Sequence, residues 1–598
     1  MTRRAVVICG LLLLAVVLVR TAWVCDDAFI TFRVIDNLLH GHGLRWNIAE
    51  RVQVYTHPLW LLALVPFSAM IGPYYGSMLL GGALTLGLAG WLLARGAAST
   101  GAAVVALAAL VGSQGFVDYG TSGLENPLAH ALLVGVYWRL RSPSTPGGDT
   151  VTAGLAFLAA VNRLDHLVLV APALAVLGAR RPGAVALGAL PLVAWEGFAL
   201  LYYGFPFPNT AYAKLGAGLP AGALARQAWT YLRVSWMWDP VTGWVTLAGV
   251  GLALAGRRRA DLAVAAAIGL WHAYLVRAGG DHMAGRFLTP TFVLALLVGI
   301  QRPIGPRTAG GLVAGLAVAG ALAHTPPLTS GTNLIQNQLG AGDVADERAF
   351  FYRISGLLRR PIDPPLAEMP GCFEGVDERA RGRHVVGREM IGWFSYFAGP
   401  DVHVVDPLGL GDPLLARIPA TATGYRAGHY RRIVPHGYVE NAQDGGVVRD
   451  PAVNAYFAEL RLVTRGPLLS GERLRAMIAL NRPGIDPRLE AWCAWSCSLW
   501  GEDAALALDP PVWIPPLGFA VLLAERREIR RVVLDADRGD YRVRLLVGAD
   551  VVEELAITVG EKPGDLRFPS VAVDQVRIVT DPPGADRSVR TVLVTPRE

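Results

Sequence analysis

Through roughly the first 325 residues, apolar runs recur with only brief turns between them, and no other feature limits the possible folds as strongly. A helix needs about 20 apolar residues to cross a bilayer core of about 30 Å. The runs at 5–24, 76–94, 102–116, 126–138, 151–161, 164–178, 183–203, 241–255, 262–276, 287–300 and 310–323 reach or approach that length, which predicts a polytopic bundle of about 11 transmembrane helices. A shorter run at 59–71, between His57-Pro58 and Gly72-Pro73, reads as an interfacial or re-entrant helix. With a mean hydropathy of +0.38 and only 17% charged residues, a single soluble globule is excluded. Residues 5–19 follow Arg3 and Arg4 like a signal peptide, but no small-residue cleavage site comes after them, so they read as a retained first span.

The arginines orient the bundle. If the N-terminus is cytoplasmic, alternate turns carry Arg3/Arg4, Arg95, Arg139/Arg141, Arg180/Arg181, Arg257/Arg258/Arg259 and Arg302/Arg307, all on the inner face. The opposite turns collect Asp26, Asp27, Asp36, Glu50, Asp118, Glu125, Asp165, Asp239 and Asp281, leaving Asp149 and Asp261 inside. An odd number of crossings then puts everything after about Thr325 outside. The reading is a multi-pass plasma-membrane protein with a transmembrane domain, 1–325, and an extracytoplasmic soluble domain, 326–598. Within the latter, residues 501–598 alternate apolar and polar side chains between turns, most clearly from about Arg530, as a β-sandwich does.

The formal charge of +6 does not point to nucleic acid, because the arginines form no stripe and Lys214 and Lys562 are the only lysines. Of five cysteines, Cys493 and Cys497 are spaced to bridge in an oxidising compartment, and none forms a zinc pattern. His40, His42 and His57, in the first outer loop, suit hydrogen bonding to a substrate or to the loop backbone better than metal ligation. Glu196, inside the run 183–203, is a buried-acid candidate.

Four outer loops bring acid and base groups to one face. Asp26 and Asp27 stand where the first run emerges, before an amphipathic stretch that includes Phe29, Ile30, Ile35, Leu38 and Leu39. Paired carboxylates there can bind a divalent cation, orient a sugar hydroxyl or take its proton. "DYGTSGLEN" supplies Glu125, "NRLDH" supplies Arg163 and Asp165, and "RAGGDHMAGRF" supplies Asp281, His282 and Arg286. "FPFPNTAYAKLG" adds Asn209 and Lys214. Any one of these motifs could be a structural salt bridge; their common face favours a reaction site.

Together the DD pair, "GxGLRWNIAERVQ", "TSGLE", "PNTAYAK", "GGDHMAGR" and "VVDPLGLGDPLLARIP…GHYRRIVPHGY" resemble the GT-C fold polyprenyl-phosphate-sugar glycosyltransferases, most closely the actinobacterial AftB-type arabinofuranosyltransferases. The resemblance implies a membrane all-α GT-C bundle, a decaprenyl-phosphate-arabinofuranose donor, an outward active site and a cell-wall arabinan acceptor. It matches Asp26 and Asp27 to the acidic pair of the first outer loop. "THPLW" here is closer to the wider lipid-linked-sugar transferase pattern. With such a donor, Asp27 is the candidate carboxylate nearest the anomeric centre or the acceptor hydroxyl, Asp26 its orienting or metal-binding partner, and Glu125 a third catalytic candidate. Arg163, Arg286, His282 and Lys214 are candidates for the phosphate, with His57, Asp165, Asn209 and Asp281 as substrate contacts. Three rival readings stay open: a GT-C enzyme moving mannose, a lipid-linked sugar transporter, and a non-catalytic assembly protein whose sandwich binds polysaccharide.

Overall fold

The computed structural model describes residues 2–330, 344–359, 370–420, 427–435, 437–441, 448, 450–482, 484–491, 512–514, 518–536, 539–547, 550–560, 564–581 and 589–596. Two compact units emerge, one made of Met1–Thr210, Pro220–Arg383 and Met390–Val402, the other of Ala211–Leu219, His384–Glu389 and His403–Glu598. Cys493, Cys497 and Lys562 lie outside the described residues.

The first unit is built of helices that start where the sequence supplies a cap. Thr2, Ser99, Thr145 and Asp239 each accept a backbone N–H of the first turn that follows. Proline occupies the first turn of several helices, where its missing N–H costs nothing.

Hydrogen bonds between turns sort the helix ends into two poles. At one pole Arg3 donates to Leu93 O at 3.2 Å, Ala98 N to Ile300 O at 2.8 Å, and Arg302 to Leu252 O at 2.8 Å. The two acids expected inside belong to this arginine pole: Asp261 pairs with Arg141 at 2.7 Å and Asp149 with Arg181 at 3.1 Å. At the other, acidic pole Trp23 Nε1 donates to Asp118 O at 2.8 Å, Cys25 N to Ser122 O at 3.0 Å, Asn162 Nδ2 to Glu125 O at 3.3 Å and Tyr74 OH to Ser355 O at 2.8 Å.

Among the described residues, eleven helices or helix pairs run between the poles: Arg3–Thr21, Pro73–Trp91 with its π-turn Leu92–Gly96, Thr100–Gly112, Asn126–Arg139, Pro146–Asn162, His166–Arg180, Pro182–Gly188 with Leu190–Tyr203, Pro240–Gly256, Arg259–Ala278, Thr289–Ile300 and Pro306–Ala321. Pro58–Ile71 and Ala221–Trp238 begin and end at the acidic pole. By length and composition alone, Arg3–Thr21 and Pro73–Gly96 can cross a membrane, and the pair bent by 43° between Gly188 and Leu190 would be a third. The other expected spans are helices mostly shorter than the about 20 residues a straight crossing takes.

The compositional break near Thr325 is not where this unit ends. Arg348 pairs with Asp118 at 2.5 Å while both are buried, and Asp346 accepts from Gln114 at 3.1 Å and Thr325 at 2.9 Å. Ala345 N donates to His282 O at 2.7 Å, and Leu357 N to Ala22 O at 2.9 Å. The stretch 344–359 is thereby laid across the acidic pole.

Among the described residues there are two sheets, the larger wholly in the second unit. β1 (His384–Gly387) pairs with β2 (Val402–Val405). β3 (Val512–Ile514), β4 (Gly518–Ala536), β5 (Gly539–Val547), β6 (Asp550–Val559), β7 (Gly564–Asp581) and β8 (Val589–Pro596) form one antiparallel sheet in the order β3-β4-β7-β5-β6, with β8 also on β4. The long strands β4 and β7 shift register at Leu522/Arg527 and Ile529/Arg531, irregularities of the kind that bend a strand. Their inward residues Ile529, Val532, Leu534, Val573, Val576 and Ile578 join Tyr541, Val543, Leu545, Ile557 and Val559 in one buried cluster. Where a sandwich was expected over 501–598, the described strands form a single connected sheet around one core. The "VVDPLGLGDPLLARIP" motif is a loop braced by its own carboxylates: Asp406 accepts from Leu408 and Gly411, and Asp412 from Leu414 and Leu415.

Candidate active site

All four outer loops singled out for their charges meet within the first unit. Glu125, at the start of helix Asn126–Arg139, is the meeting point: its side chain is 2% exposed. Arg163 Nη1 reaches Glu125 Oε1 at 2.8 Å, Arg286 Nη2 reaches both oxygens at 3.1 and 3.2 Å, and His57 Nδ1 reaches Oε2 at 3.2 Å. Arg163 turns the rest of its fork on Asp165, Nε to Oδ1 at 3.0 Å and Nη2 to Oδ2 at 2.6 Å. Arg286 offers Nη1 to Asp27 Oδ2 at 3.7 Å. Charges therefore alternate along Asp27, Arg286, Glu125, Arg163 and Asp165, with both guanidiniums beside the Phe287 ring at 5.5 and 4.7 Å.

Alternation explains how so much charge is buried. Burial works to raise the Glu125 carboxyl, but Arg286 and Arg163 overcome it and hold it well below the usual carboxylate range. Burial likewise opposes charge on Arg163, and Asp165 and Glu125 hold it well above its ordinary value. Glu125, expected as a catalytic carboxylate, is occupied on both oxygens, by Arg286 on both, Arg163 on Oε1 and His57 on Oε2.

His57 caps the interior side. Burial pushes its imidazole down to about 4 against the pull of Glu125, so it is neutral near neutral pH. As a neutral ring that gives its Nδ1 proton to Glu125, it accepts at Nε2 from Thr31 Oγ1, 2.8 Å away and one turn beyond Asp27. The fold holds His57 at about 4 while the unfolded chain leaves it near 6.5, so its contribution is complete above pH 6.5 and is lost as pH falls toward 4. His57→Gln should flatten the decline of the thermal midpoint across that window; an undiminished slope would contradict this assignment.

Asp26 and Asp27 do different work despite their adjacency. Asp26 accepts from Trp393 N at 2.8 Å and Gly392 N at 3.1 Å, the first two residues of helix Gly392–Ala398. Gly392 is required by this approach, since a Cβ there would stand 2.0 Å from Asp26 O. Phe29 stacks on Trp393 at 3.9 Å, and Arg33 donates to Ser395 O at 2.6 Å and Val402 O at 2.7 Å, so the helix is stapled along Asp26–Leu39. Burial pushes the Asp26 carboxyl up to about 7, more than the two amides lower it. Asp27 keeps 29% of its side chain exposed. Asp26→Ala should cost about 1 kcal/mol by uncapping that helix; equilibrium unfolding of the purified variant with no loss would remove the capping role.

The remaining expected residues divide. Asp281 is buried 3.1 Å from His282 Nδ1, and His282 Nε2 is 3.8 Å from Glu347, so this pair braces its loop against the stretch after Val344. Asn209 is buried with its backbone N–H on Gln53 O at 2.8 Å. Lys214 belongs to the second unit, beside Gly428. Glu196 is partly exposed on helix Leu190–Tyr203. Each Asp26 oxygen faces one backbone N–H donor. Among the described residues no group of three or more His, Cys, Asp or Glu could hold a metal ion. Thr31, Arg33, Trp393, Arg348 and Phe287 went unnoticed as site residues; only Thr31, at i+4 from Asp27, left a readable signal.

No protein-family model matches the chain. A terminal beta-(1->2)-arabinofuranosyltransferase of Mycobacterium tuberculosis is 26% identical over 521 residues, which is 69% of this chain and 81% of that protein. The chain is similar to that glycosyltransferase over most of its length. A second terminal beta-(1->2)-arabinofuranosyltransferase, from Corynebacterium glutamicum, is 27% identical to this chain over 345 residues, 46% of the chain and 48% of the relative. Among solved structures, ArnT from Cupriavidus metallidurans in the apo state is 13% identical with a TM-score of 0.36, covering 71% of this chain and 86% of that one.

Proposed function

We propose that this protein is a membrane-embedded arabinofuranosyltransferase that moves arabinofuranose from decaprenyl-phosphate-arabinose to the end of cell-wall arabinan on the outer face of the plasma membrane. The curated relatives support the sugar. The observation that carries the chemistry is the half-open Asp27 and Arg286 pair at the end of a buried chain of charges. In this reading the eleven pole-to-pole helices span the bilayer with the arginine pole inside. The acidic pole and the second unit then face outward.

When the bond from the anomeric carbon to the phosphate oxygen breaks, positive charge grows on the sugar and negative charge on the departing polyprenyl phosphate. Asp27 stands beside the first and Arg286 beside the second, so each charge meets a fixed partner. Glu125 holds Arg286 in place from behind, and Asp165 holds Arg163, so little reorganisation is needed as the phosphate leaves. Asp26 positions Asp27 through the helix they share. The polyprenyl tail stays in lipid while the acceptor hydroxyl arrives from water, which suits a site at the pole of the bundle.

Purified protein given decaprenyl-phosphate-arabinofuranose and an arabinan oligosaccharide should form a product one pentose longer. Turnover with the mannose donor in place of the arabinose donor would replace this reading with the mannosyltransferase one, and transport of the lipid without a glycosidic product would replace both.

A further inference from the structure

Helix Ala221–Trp238 was not among the expected spans, and it does not run between the poles. The segment before it is fixed at the acidic pole through Asn209, and Asp239 immediately after it caps the next helix there, with Ser113 donating to Asp239 at 3.0 Å. Its buried residues, Leu224, Ala228, Tyr231, Ser235 and Trp238, fall at spacings of four and three, one stripe of a helix. That stripe clamps the loop carrying Arg286. Gly285 N donates to Ser235 Oγ at 3.0 Å and Phe287 N to Tyr231 OH at 3.1 Å. Gly285 has φ +71° and lies against the Trp238 ring, where a Cβ would come within 2.3 Å.

The opposite stripe is Arg226, Trp229, Arg233 and Met237, all exposed, with Trp229 at 68% and Met237 at 66%. It is continuous with the outward flank of helix Pro240–Gly256, where Trp244 is 57%, Leu247 54% and Leu254 55% exposed. Trp236 joins the two helices, edge-on to Trp244 at 5.1 Å. Large apolar side chains alternating with guanidiniums along one face suit a lipid surface, in which indole rings sit at headgroup level and arginines meet headgroup phosphates.

We infer that Ala221–Trp238 lies on the outer-leaflet lipid surface through Arg226, Trp229, Arg233 and Met237, and that this seat fixes the depth of the Arg286 loop held by its inner face. The inference rests on the membrane reading of the bundle. Nitroxide labels at Met237→Cys and Leu247→Cys, each in the full chain with its other cysteines replaced by serine and reconstituted in phosphatidylcholine vesicles, test it by power saturation with oxygen and a water-soluble nickel complex. Position 237 should show an oxygen-to-nickel ratio between that of a label free in water and that of position 247. A label at 237 as accessible to nickel as in water, with 247 protected, overturns the inference while sparing the membrane reading. Position 237 as deep as 247 also overturns it, and both positions in water would remove the membrane reading itself. Trp229→Cys on the same stripe gives the same readout if the Met237 variant does not fold.

Discussion

Asp27→Asn should lower sugar transfer by about 10²–10³-fold, the range lost when one fixed group that stabilises transition-state charge is removed. The exchange keeps shape and one acceptor oxygen while removing the charge. Its loss is expected mainly in kcat, because in the proposed mechanism Asp27 meets positive charge that grows on the sugar only as the bond breaks. Folding should survive, since Asp27 is partly exposed and its ion partner Arg286 is 3.7 Å away and already neutralised by Glu125. Unchanged turnover in a folded variant would take Asp27 out of the reaction.

The second large effect falls on stability. Glu125→Gln leaves two guanidiniums, 10% and 7% exposed, facing each other without the carboxylate that separates them. Breaking a buried ion pair by removing one partner costs about 3–5 kcal/mol. The variant should therefore unfold well before the wild type in a thermal scan, and activity should fall with it. Glu125→Gln combined with Arg286→Met should recover part of the loss, because the guanidinium stranded without its carboxylate is gone while Arg163 keeps Asp165. A single variant as stable as the wild type would mean that the charges are not organised around Glu125.

Much of this was legible in the chain. Hydropathy located most of the helices but not Ala221–Trp238, and the arginine clusters of alternate turns foreshadowed one of the two poles. The same logic gathered Asp27, His57, Glu125, Arg163, Asp165 and Arg286 before any distance was known. Roles within the cluster were not legible. Asp26 and Asp27 look alike in sequence, and only Gly392 and Trp393, some 366 residues further on, separate a helix-capping carboxylate from an open one. Glu125 looked catalytic because sequence shows the presence of an acid but not how many cations surround it. The unit boundary was hidden for a related reason: the stretch 344–359 is polar like a soluble domain, yet its polar groups are spent on buried partners such as Asp118 and Gln114.

A structure with a non-hydrolysable decaprenyl-phosphate arabinofuranoside tests the central assignment most directly. The anomeric carbon should lie about 3–3.5 Å from an Asp27 oxygen, the span of a near-attack geometry, with the phosphate against Arg286. A sugar bound away from Asp27, or a phosphate with no contact to Arg286, would contradict it.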